Sequence, residues 1–232
     1  MTKLGIIGAM EIEVAILKSK LENPRVTKVG PMEFFEGTLA GCEVVIVMCG
    51  VGKVHAAMCT QVLCSSFGVN AIVNTGVAGS LDAELDICDV LVSTDAIQHD
   101  MDVTHLGYDV GKVPGLDVQA FPADEKLRRL AFEVSEAIRP GHTKMGRVAT
   151  GDQFVNVKAL KEKIIETTGA SCTEMEGGAI AQVCYEMQVP FGEYRGISDE
   201  THDTGREYLL NMQDAAQNSA RLICEFVKDW EM

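Results

Sequence analysis

The sequence predicts an α/β fold in a single domain, with a central mixed β-sheet flanked by helices. Short apolar runs rich in β-formers alternate with segments whose apolar residues recur at helical spacing, which is typical of this class. Two such runs, 34–39 and 43–49, are separated only by Ala40-Gly41-Cys42, which predicts a hairpin and makes the sheet mixed. The length of 232 residues suits one large domain spanning 1–232.

The first half of the chain gives the elements in order. The run LGIIGA at 4–9 predicts a buried strand, and Val14, Leu17 and Leu21 then give helical spacing over 11–21. After the hairpin, Gly50-Val51-Gly52 ends the second strand, and a helix is predicted over 53–67. The run AIVN at 71–74 predicts a strand, with TGVAGS at 75–80 as the loop that follows it.

The second half continues the alternation. Strands are expected at 90–94, 144–150 and 191–197, and helices at 124–138, 157–167, 176–187 and 207–228. Arg139-Pro140-Gly141 ends the first of these helices, and Pro190 follows the third. The stretch 107–122 has no periodicity; such a segment suits a lid or an interface loop, and equally a plain surface loop.

Charge and composition exclude several classes of function. The chain has 20 basic and 34 acidic residues, a formal net charge of −14, and 47% hydrophobic residues. An acidic surface repels nucleic-acid phosphates and anionic membranes, so no nucleic acid or membrane is expected as a partner. No apolar run has the ~20 residues that span a bilayer, and the N-terminal residues do not resemble a signal peptide.

The eight cysteines predict a reducing compartment. None forms a C-x-x-C pair, and most lie in apolar runs such as VVIVMCG. Buried, reduced thiols are therefore expected. Because the sequence suggests neither a signal peptide nor a membrane span, we interpret the protein as cytoplasmic.

The residues after the strands suggest where chemistry takes place. Ligands of open α/β sheets bind beyond the carboxyl ends of the strands. These positions carry carboxylates, glycines and a few apolar side chains, which suit a neutral, flat, hydroxyl-bearing ligand better than a phosphorylated one. They include Met10, Glu11, Glu13, the loops 50–52, 75–79 and 151–155, Glu174-Met175-Glu176, Ser198 and Asp199.

Other motifs are weaker. GIIGAM does not have the G-x-G-x-x-G pattern, and GVGKV lacks Walker A spacing, so a nucleotide cofactor is not expected. The loop HDMDVTH at 99–105 could be considered a metal site, but its spacing is mixed and a polar loop is favoured. We expect neither metal nor cofactor.

Three acids fit the cleavage of an N-glycosidic bond. Such a reaction needs one group to protonate the leaving base, one to activate water and one to stabilise charge on the sugar. Glu13, Glu176 and Asp199 could supply these roles, although a helix cap or surface acid is the usual role of any one of them.

Several ordered motifs carry a family resemblance from end to end. They are GIIGAMEIEV at 5–14, GVGKVHAA at 50–57, NTGVAGS at 74–80, HDMDVTHLGY at 99–108, TGDQFV at 150–155, TEMEGGAIAQVC at 173–184 and RGISD at 195–199. Together they resemble the 5′-methylthioadenosine/S-adenosylhomocysteine nucleosidases of the purine nucleoside phosphorylase superfamily. The resemblance implies a three-layer sandwich like that of the nucleoside phosphorylases.

The resemblance also implies residue roles. Asp199, supported by Ser198, would protonate adenine N7, and Glu13 would activate the water. Glu176 would hold the ribose hydroxyls, with Met175 packed by the sugar, while Glu11 and Glu174 are expected to be structural. Phe154 and Val155 would flank the adenine, and the rest of the site would be lined by Met10, Val51, Val77, Ala78 and Gly79.

The implied activity is hydrolysis of 5′-substituted adenosines to adenine and a 5′-substituted ribose. The alternatives are a phosphate-dependent phosphorylase and a non-catalytic nucleoside-binding protein. Asn74-Thr75 stands before the glycine loop where phosphorylases carry an arginine, which favours water, and Arg195 is expected to form an ion pair that orders the site.

Departures from the family pattern concern the 5′ substituent. Glu200–Arg206 is unusually charged, and Leu106 stands where an aromatic residue is common. Methylthioadenosine, S-adenosylhomocysteine, 5′-deoxyadenosine and aminofutalosine therefore remain open as substrates. Glu193-Tyr194 interrupts a strand that is usually apolar. The resemblance also implies a homodimer in which Leu106 and Pro114 reach the partner's 5′ pocket.

Overall fold

Ten strands form one continuous sheet in the computed structural model, which describes residues 2–201 and 205–230. The predicted 5′ region therefore lies in part, at residues 202–204, outside the described residues. The strands are β1 (Lys3–Gly8), β2 (Glu22–Val29), β3 (Met32–Leu39), β4 (Cys42–Met48), β5 (Ala71–Ser80), β6 (Val90–Gln98), β7 (Phe121–Pro122), β8 (Thr143–Thr150), β9 (Cys172–Glu174) and β10 (Phe191–Asp199).

Six α-helices accompany these strands within the same described ranges. They are α1 (Glu11–Ser19), α2 (Lys53–Val62), α3 (Glu125–Ile138), α4 (Lys158–Thr168), α5 (Gly177–Met187) and α6 (Arg206–Asp229). A π-helical turn, Leu63–Phe67, follows α2, and a 3-10 turn, Thr104–Leu106, lies in the connection between β6 and β7.

The sheet is mixed, as predicted. Nine strands follow the order β10-β6-β8-β9-β5-β1-β4-β3-β2, and the short β7 pairs with β6 beside this path. Because β10 also pairs with β5, the strands β10, β6, β8, β9 and β5 form a closed ring. Strand β1 runs parallel to β4 and β5, whereas β2, β3 and β4 form an antiparallel meander that contains the predicted hairpin. The α/β class and the three-layer arrangement are thus confirmed.

Helices cover both faces of the sheet because side chains alternate along its strands. Ile6 packs into a core formed with α1, α3 and α6, whereas the next residue, Ile7, packs into a core formed with α2 and α5. Both isoleucines are fully buried. Strands covered on both faces explain the continuous apolar runs in the sequence.

One expectation about the elements was wrong, and two further differences concern a strand and a helix. TGVAGS is not a loop, because β5 continues through Ser80 and pairs there with β10 and β9. Strand β2, which the sequence did not predict, is an edge strand of mostly exposed residues and lacks an apolar alternation. The helix expected over 53–67 is present with these bounds, but it changes from α-helical to π-helical geometry after Val62; Gly68, whose φ of 59° is left-handed, follows it.

Candidate active site

A pocket opens where β1, β5 and β10 end, with β9 crossing antiparallel to the end of β5. This is the edge at which an open α/β sheet binds its ligand. Parallel pairing of β5 with both β1 and β10 brings the residues after these strands together. The site is therefore built from segments far apart in the sequence.

Glu13 is fixed by backbone donors from two elements. Its Oε2 accepts hydrogen bonds from the N–H groups of Ala9 (2.7 Å) and Met10 (2.9 Å), and its Oε1 accepts one from Val77 N–H (3.0 Å). Burial raises the pKa of Glu13, although Arg195 and these backbone donors partly oppose the shift. The carboxyl thus lies at the start of α1, with a rigid position and an increased proton affinity.

Asp199 is placed by an irregularity at the end of β10. The pairing register with β5 shifts between Ile197 and Asp199, which directs both the Ser198 hydroxyl and the Asp199 carboxylate toward the pocket end of the strand. Ser198 Oγ lies 2.8 Å from Asp199 Oδ1, and Thr201 N–H donates to Asp199 Oδ2 at 3.1 Å.

Gly79 permits this approach of the two strands. A Cβ atom on Gly79 would lie 2.3 Å from Thr201 Cγ2 and 3.0 Å from Asp199 Oδ2. The first of these distances is not tolerated between a real Cβ atom and its neighbour, and the second is tight. Glycine at this position therefore leaves room for the Thr201 methyl group and for the close approach of the Asp199 carboxylate.

Glu174 holds the backbone of Glu176 in place. Its Oε2 accepts hydrogen bonds from the N–H groups of Glu176 (2.8 Å), which caps α5, and of Gly177 (2.7 Å), the first residue of that helix. It also pairs with Arg195. Thr150 donates its hydroxyl to the other oxygen. Glu174 is thus bound on several sides and fulfils the structural role expected of it, although it also lines the pocket.

Glu176 has fewer partners and a strongly perturbed proton affinity. Its Oε1 accepts a hydrogen bond from Gly52 N–H at 2.8 Å, at the start of α2. Burial, and after it the negative charge of Glu174, raise the pKa of Glu176 to about 8. This carboxyl therefore lies at the boundary between its neutral and ionised forms near neutral pH.

Arg195 is the cation at the centre of this arrangement, as expected. It is 1% exposed, and its Nε donates to Glu193 Oε1 at 2.8 Å while its Nη2 contacts Glu174 and Asn74. Surrounding carboxylates raise its pKa further, so the guanidinium stays charged. The predicted ordering ion pair is present, and the unusual Glu193 is part of it.

Aromatic rings form one wall of the pocket. Phe154 is 45% exposed, and its ring meets that of Tyr208 edge-to-face at 5.5 Å between centroids. The Tyr208 hydroxyl lies 3.6 Å from Met10 Sδ. Burial and the nearby acids Glu13, Asp199 and Glu176 raise the pKa of Tyr208. The wall offers a flat, partly exposed surface on which a planar ring can stack.

Most of the residues expected in the site are brought together in this pocket. Its lining contains Met10, Glu13, Val51, Val77, Ala78, Gly79, Phe154, Met175, Glu176, Ser198 and Asp199. Val155 lies in an adjoining cleft that shares Phe154, Met175 and Asp199 with the pocket. Leu106 and Pro114 are exposed at the surface and do not line it.

Four lining residues were not predicted to contact a ligand: Ala9, Thr173, Glu174 and Tyr208. Ala9 and Glu174 are direct neighbours of predicted positions, and Thr173 lies two residues before Met175. Tyr208 comes from the first turn of α6, nine residues after Asp199 at the end of β10. An aromatic residue at the start of the helix that follows β10 was the available signal.

The polar loop 99–105 does not form a metal site in the part of the chain that the structure describes. His99 is 8% exposed and packs against Gly151, whereas His105 is exposed. No group of three or more His, Cys, Asp or Glu residues suited to a metal ion occurs within residues 2–201 and 205–230.

Comparison with known proteins identifies the family. Residues 3–228 match the family model of the phosphorylase superfamily. A 5′-methylthioadenosine/S-adenosylhomocysteine nucleosidase of Tolumonas auensis is 38% identical over 231 residues, covering 97% of this chain and 99% of that protein.

Solved structures agree with this assignment. The nucleosidase of the same name from Neisseria meningitidis, in complex with methylthio-immucillin-A, superposes with a TM-score of 0.96 at 33% identity and covers 99% of this chain and 100% of its own. A futalosine hydrolase of Helicobacter pylori gives a TM-score of 0.94 at 32% identity, covering 99% and 98%.

The match along nearly the whole chain defines the protein class as the phosphorylase superfamily, and within it the chain belongs to the 5′-methylthioadenosine/S-adenosylhomocysteine nucleosidase family. No helix of the described residues combines the length and apolarity needed to cross a membrane.

Proposed function

We propose that the protein hydrolyses the N-glycosidic bond of 5′-substituted adenosines, releasing adenine and a 5′-substituted ribose. The observation that carries this proposal is the convergence of Glu13, Glu176 and Asp199 on one pocket with an aromatic wall. The relatives named as nucleosidases, one of them bound to methylthio-immucillin-A, support the same reaction.

Asp199 is the acid that donates a proton to N7 of the adenine. Its carboxyl lies 5% exposed at the end of β10, with Ser198 Oγ 2.8 Å from it to fix its orientation. Protonation of the base withdraws electrons from the glycosidic bond and makes adenine a better leaving group. Phe154 stacks on the adenine ring, and the backbone of Val155 meets its edge.

Glu13 positions and deprotonates the attacking water. A raised pKa makes its carboxylate a stronger base, and three backbone donors keep that carboxylate in place. The water attacks the anomeric carbon as the bond to adenine breaks, and its proton passes to Glu13. The oxocarbenium character of the sugar is stabilised by the surrounding carboxylates.

Glu176 accepts hydrogen bonds from the ribose hydroxyls, and Met175 packs by the sugar. The ionised carboxylate suits this role best, because both of its oxygens act only as acceptors and hydrogen bonds to a charged acceptor are stronger. The remaining lining residues, Met10, Val51, Val77, Ala78 and Gly79, give the pocket its shape.

Water is the nucleophile that this pocket favours over phosphate. Glu13, Glu174, Glu176 and Asp199 all line it, and this concentration of carboxyls repels a phosphate anion. The Arg195 guanidinium lies below the pocket, where it is engaged by Glu174, Glu193 and Asn74.

Adenine release from methylthioadenosine in phosphate-free buffer tests the reaction. Free methylthioribose as the second product is the expected result. Release that occurs only after addition of phosphate would make the protein a phosphorylase, and binding of the substrate without release would make it a nucleoside-binding protein. A panel with S-adenosylhomocysteine, 5′-deoxyadenosine and aminofutalosine then ranks the 5′ groups; the similarity to a futalosine hydrolase justifies the last of these.

We further propose that the protein acts as a homodimer. Helix α2 begins beside the pocket and exposes apolar side chains at helical spacing: Val54 is 70% exposed and Met58 48%, next to Val51 at 48%. In the dimer, the exposed Leu106 and Pro114 of one subunit extend the 5′ pocket of the other. Light scattering that finds a fully active monomer would contradict this proposal.

A single folding unit and a cytoplasmic location are also proposed. One continuous sheet runs through the described chain and supports a single domain over 1–232, which a single unfolding transition by two spectroscopic probes would test. All eight cysteines are free, which suits a reducing compartment and is testable by cell fractionation.

A further inference from the structure

Glu193 places an additional carboxyl directly beneath the pocket. The residue lies in the middle of β10 and is fully buried. Its Oε1 accepts a hydrogen bond from Arg195 Nε at 2.8 Å, whereas its Oε2 is buried and has no hydrogen-bond partner among the described residues. Ionisation of a buried carboxyl that accepts only one hydrogen bond costs free energy, so burial favours the neutral, protonated form of Glu193.

The start of α5 is shaped around this carboxyl. A Cβ atom on Gly177 would lie 2.1 Å from Glu193 Oε1 and 2.5 Å from Oε2. Gly177 directly follows Glu176, the proposed ligand of the ribose. The Glu193 carboxyl therefore lies under the backbone that presents Glu176 to the pocket.

Carboxyls outnumber the cation in this buried region. Facing Glu193 are Glu174 and Cys172 from β9, Arg195 from β10 itself and Glu176 at the start of α5. Glu13 also interacts with the same guanidinium from α1. One positive charge cannot neutralise four ionised carboxylates, so at least one of them retains a proton near neutral pH.

Glu174 is the carboxylate of this cluster that receives the most hydrogen-bond donors. It receives two backbone N–H groups, the Thr150 hydroxyl and the Arg195 guanidinium. Among the described residues, Glu176 and Glu193 accept one hydrogen bond each, and burial raises the pKa of both. The retained proton is therefore divided between these two residues.

We propose that Glu193 is a positioning residue that shares a proton with Glu176, so that a bound sugar draws the proton onto Glu193 and leaves Glu176 ionised to accept the ribose hydroxyls. This inference rests on the proposed function. No atom is transferred to the substrate in this step; the proton only moves between two carboxyls of the cluster. Glu193 thus acts through Glu176 and does not contact the ligand.

The pH dependence of kcat/KM for methylthioadenosine tests the proposal in Glu193→Gln. Without the second ionisable carboxyl, Glu176 ionises at lower pH, and the acid limb of the profile moves down by about one pH unit and narrows to a single ionisation. Glu193→Asp, which keeps a carboxyl, retains the broad profile. Glu133→Gln removes one exposed charge from α3 and leaves the limb unmoved.

Two further measurements keep the outcomes separable. Glu193→Leu removes the same charge with an apolar side chain of similar size, and replaces Glu193→Gln if that variant unfolds early in a thermal melt. Carboxyl carbon-13 NMR of the free protein follows Glu176 directly, its signal being assigned by its loss in Glu176→Gln. We expect the Glu176 signal of the wild type to titrate in two coupled steps. In the variant that lacks the Glu193 carboxyl, it should titrate in a single step at lower pH.

The inference would be overturned if removal of the Glu193 carboxyl moved neither the acid limb of the pH profile nor the Glu176 signal. The proposed function would still stand in that case, provided that the wild type releases adenine. If the wild type released no adenine, the proposed function would fail. The NMR titration of the free protein would then still decide whether the two carboxyls share a proton.

Discussion

Replacing Glu13 by glutamine should remove catalysis while preserving the fold. The carboxylate accepts three backbone N–H groups, two on Oε2 and one on Oε1. A glutamine oxygen can serve Ala9 and Met10 as before, but its NH₂ group then faces Val77 N–H, donor against donor. One unpaired buried N–H costs about 1–3 kcal/mol.

Loss of the buried charge offsets part of this cost. Because burial raises the pKa of Glu13, ionisation of this carboxyl opposes folding. The free energy of unfolding therefore falls as pH rises from the ordinary pKa of 4.5 through the raised pKa in the folded protein. Glutamine does not carry that charge at any pH. We therefore expect the variant to lose no more than about 2 kcal/mol of unfolding free energy at neutral pH, and less at higher pH.

The effect on turnover should be much larger. Loss of a general base lowers rates by about 10²- to 10⁴-fold, which corresponds to about 3–5 kcal/mol in the activation barrier. Adenine release at saturating substrate gives kcat, and urea unfolding of the same preparation gives stability. The wild-type kcat should itself fall as pH drops through the raised pKa of Glu13, because only the carboxylate accepts the proton of water.

Glu11→Gln is the matched control for this experiment. Glu11 lies in the same first turn of α1, but its side chain is 59% exposed and pairs with Lys18 at 2.7 Å. Such surface pairs contribute about 1 kcal/mol at most, so this variant should keep both turnover and stability. A folded Glu13→Gln protein with kcat within tenfold of the wild type would refute the role assigned to Glu13.

Three more substitutions test other parts of the site. Gly79→Ala forces a Cβ against the Thr201 methyl group and should cost about 1–3 kcal/mol of stability and most of the activity; Thr201→Ser in the same chain removes that methyl and should restore part of both in melting and turnover assays. Glu176→Gln keeps an acceptor for Gly52 N–H, so its gain in unfolding free energy over the wild type should grow from about pH 4.5 to about pH 8 and then level off, while KM rises; a gain that is constant with pH in urea titrations would contradict the raised pKa. Tyr208→Ala should raise KM by about tenfold because Phe154 loses its edge-to-face partner, whereas Tyr208→Phe should stay within about twofold of the wild type; equal KM values for the two variants would argue against a stacking wall.

The fold was largely predictable because its core strands and helices carry strong local patterns. Buried runs such as 43–49 and the spacing of 11–21 indicated their structures directly. The loop prediction for TGVAGS was wrong because glycine favours loops in general. Here the small residues let β5 continue between β9 and β10, with the Glu13 and Arg195 side chains packed closely against Gly76. Tertiary pairing overrode a local preference, and no local pattern contains that information.

The acids of the site were predictable as a set, whereas their environment was not. Each acid follows a strand, and ligands bind beyond the carboxyl ends of strands, so the sequence alone predicted that Glu13, Glu176 and Asp199 share one site. The sequence could not reveal that Glu174, two residues from Glu176, would receive the guanidinium of Arg195. Proton affinity depends on such three-dimensional neighbours, and two glutamates in one short motif consequently differ in their surroundings.

The anchoring of these acids explains why the site and the fold depend on one another. Glu13 takes its donors from the start of α1 and from β5, and Glu176 takes its donor from Gly52 at the start of α2. Main-chain donors cannot move without the strands and helices that carry them, so the carboxyls are preorganised before a substrate arrives. Changes at small residues that shift these strands, such as Gly76 or Gly79, should therefore reduce turnover without touching a ligand.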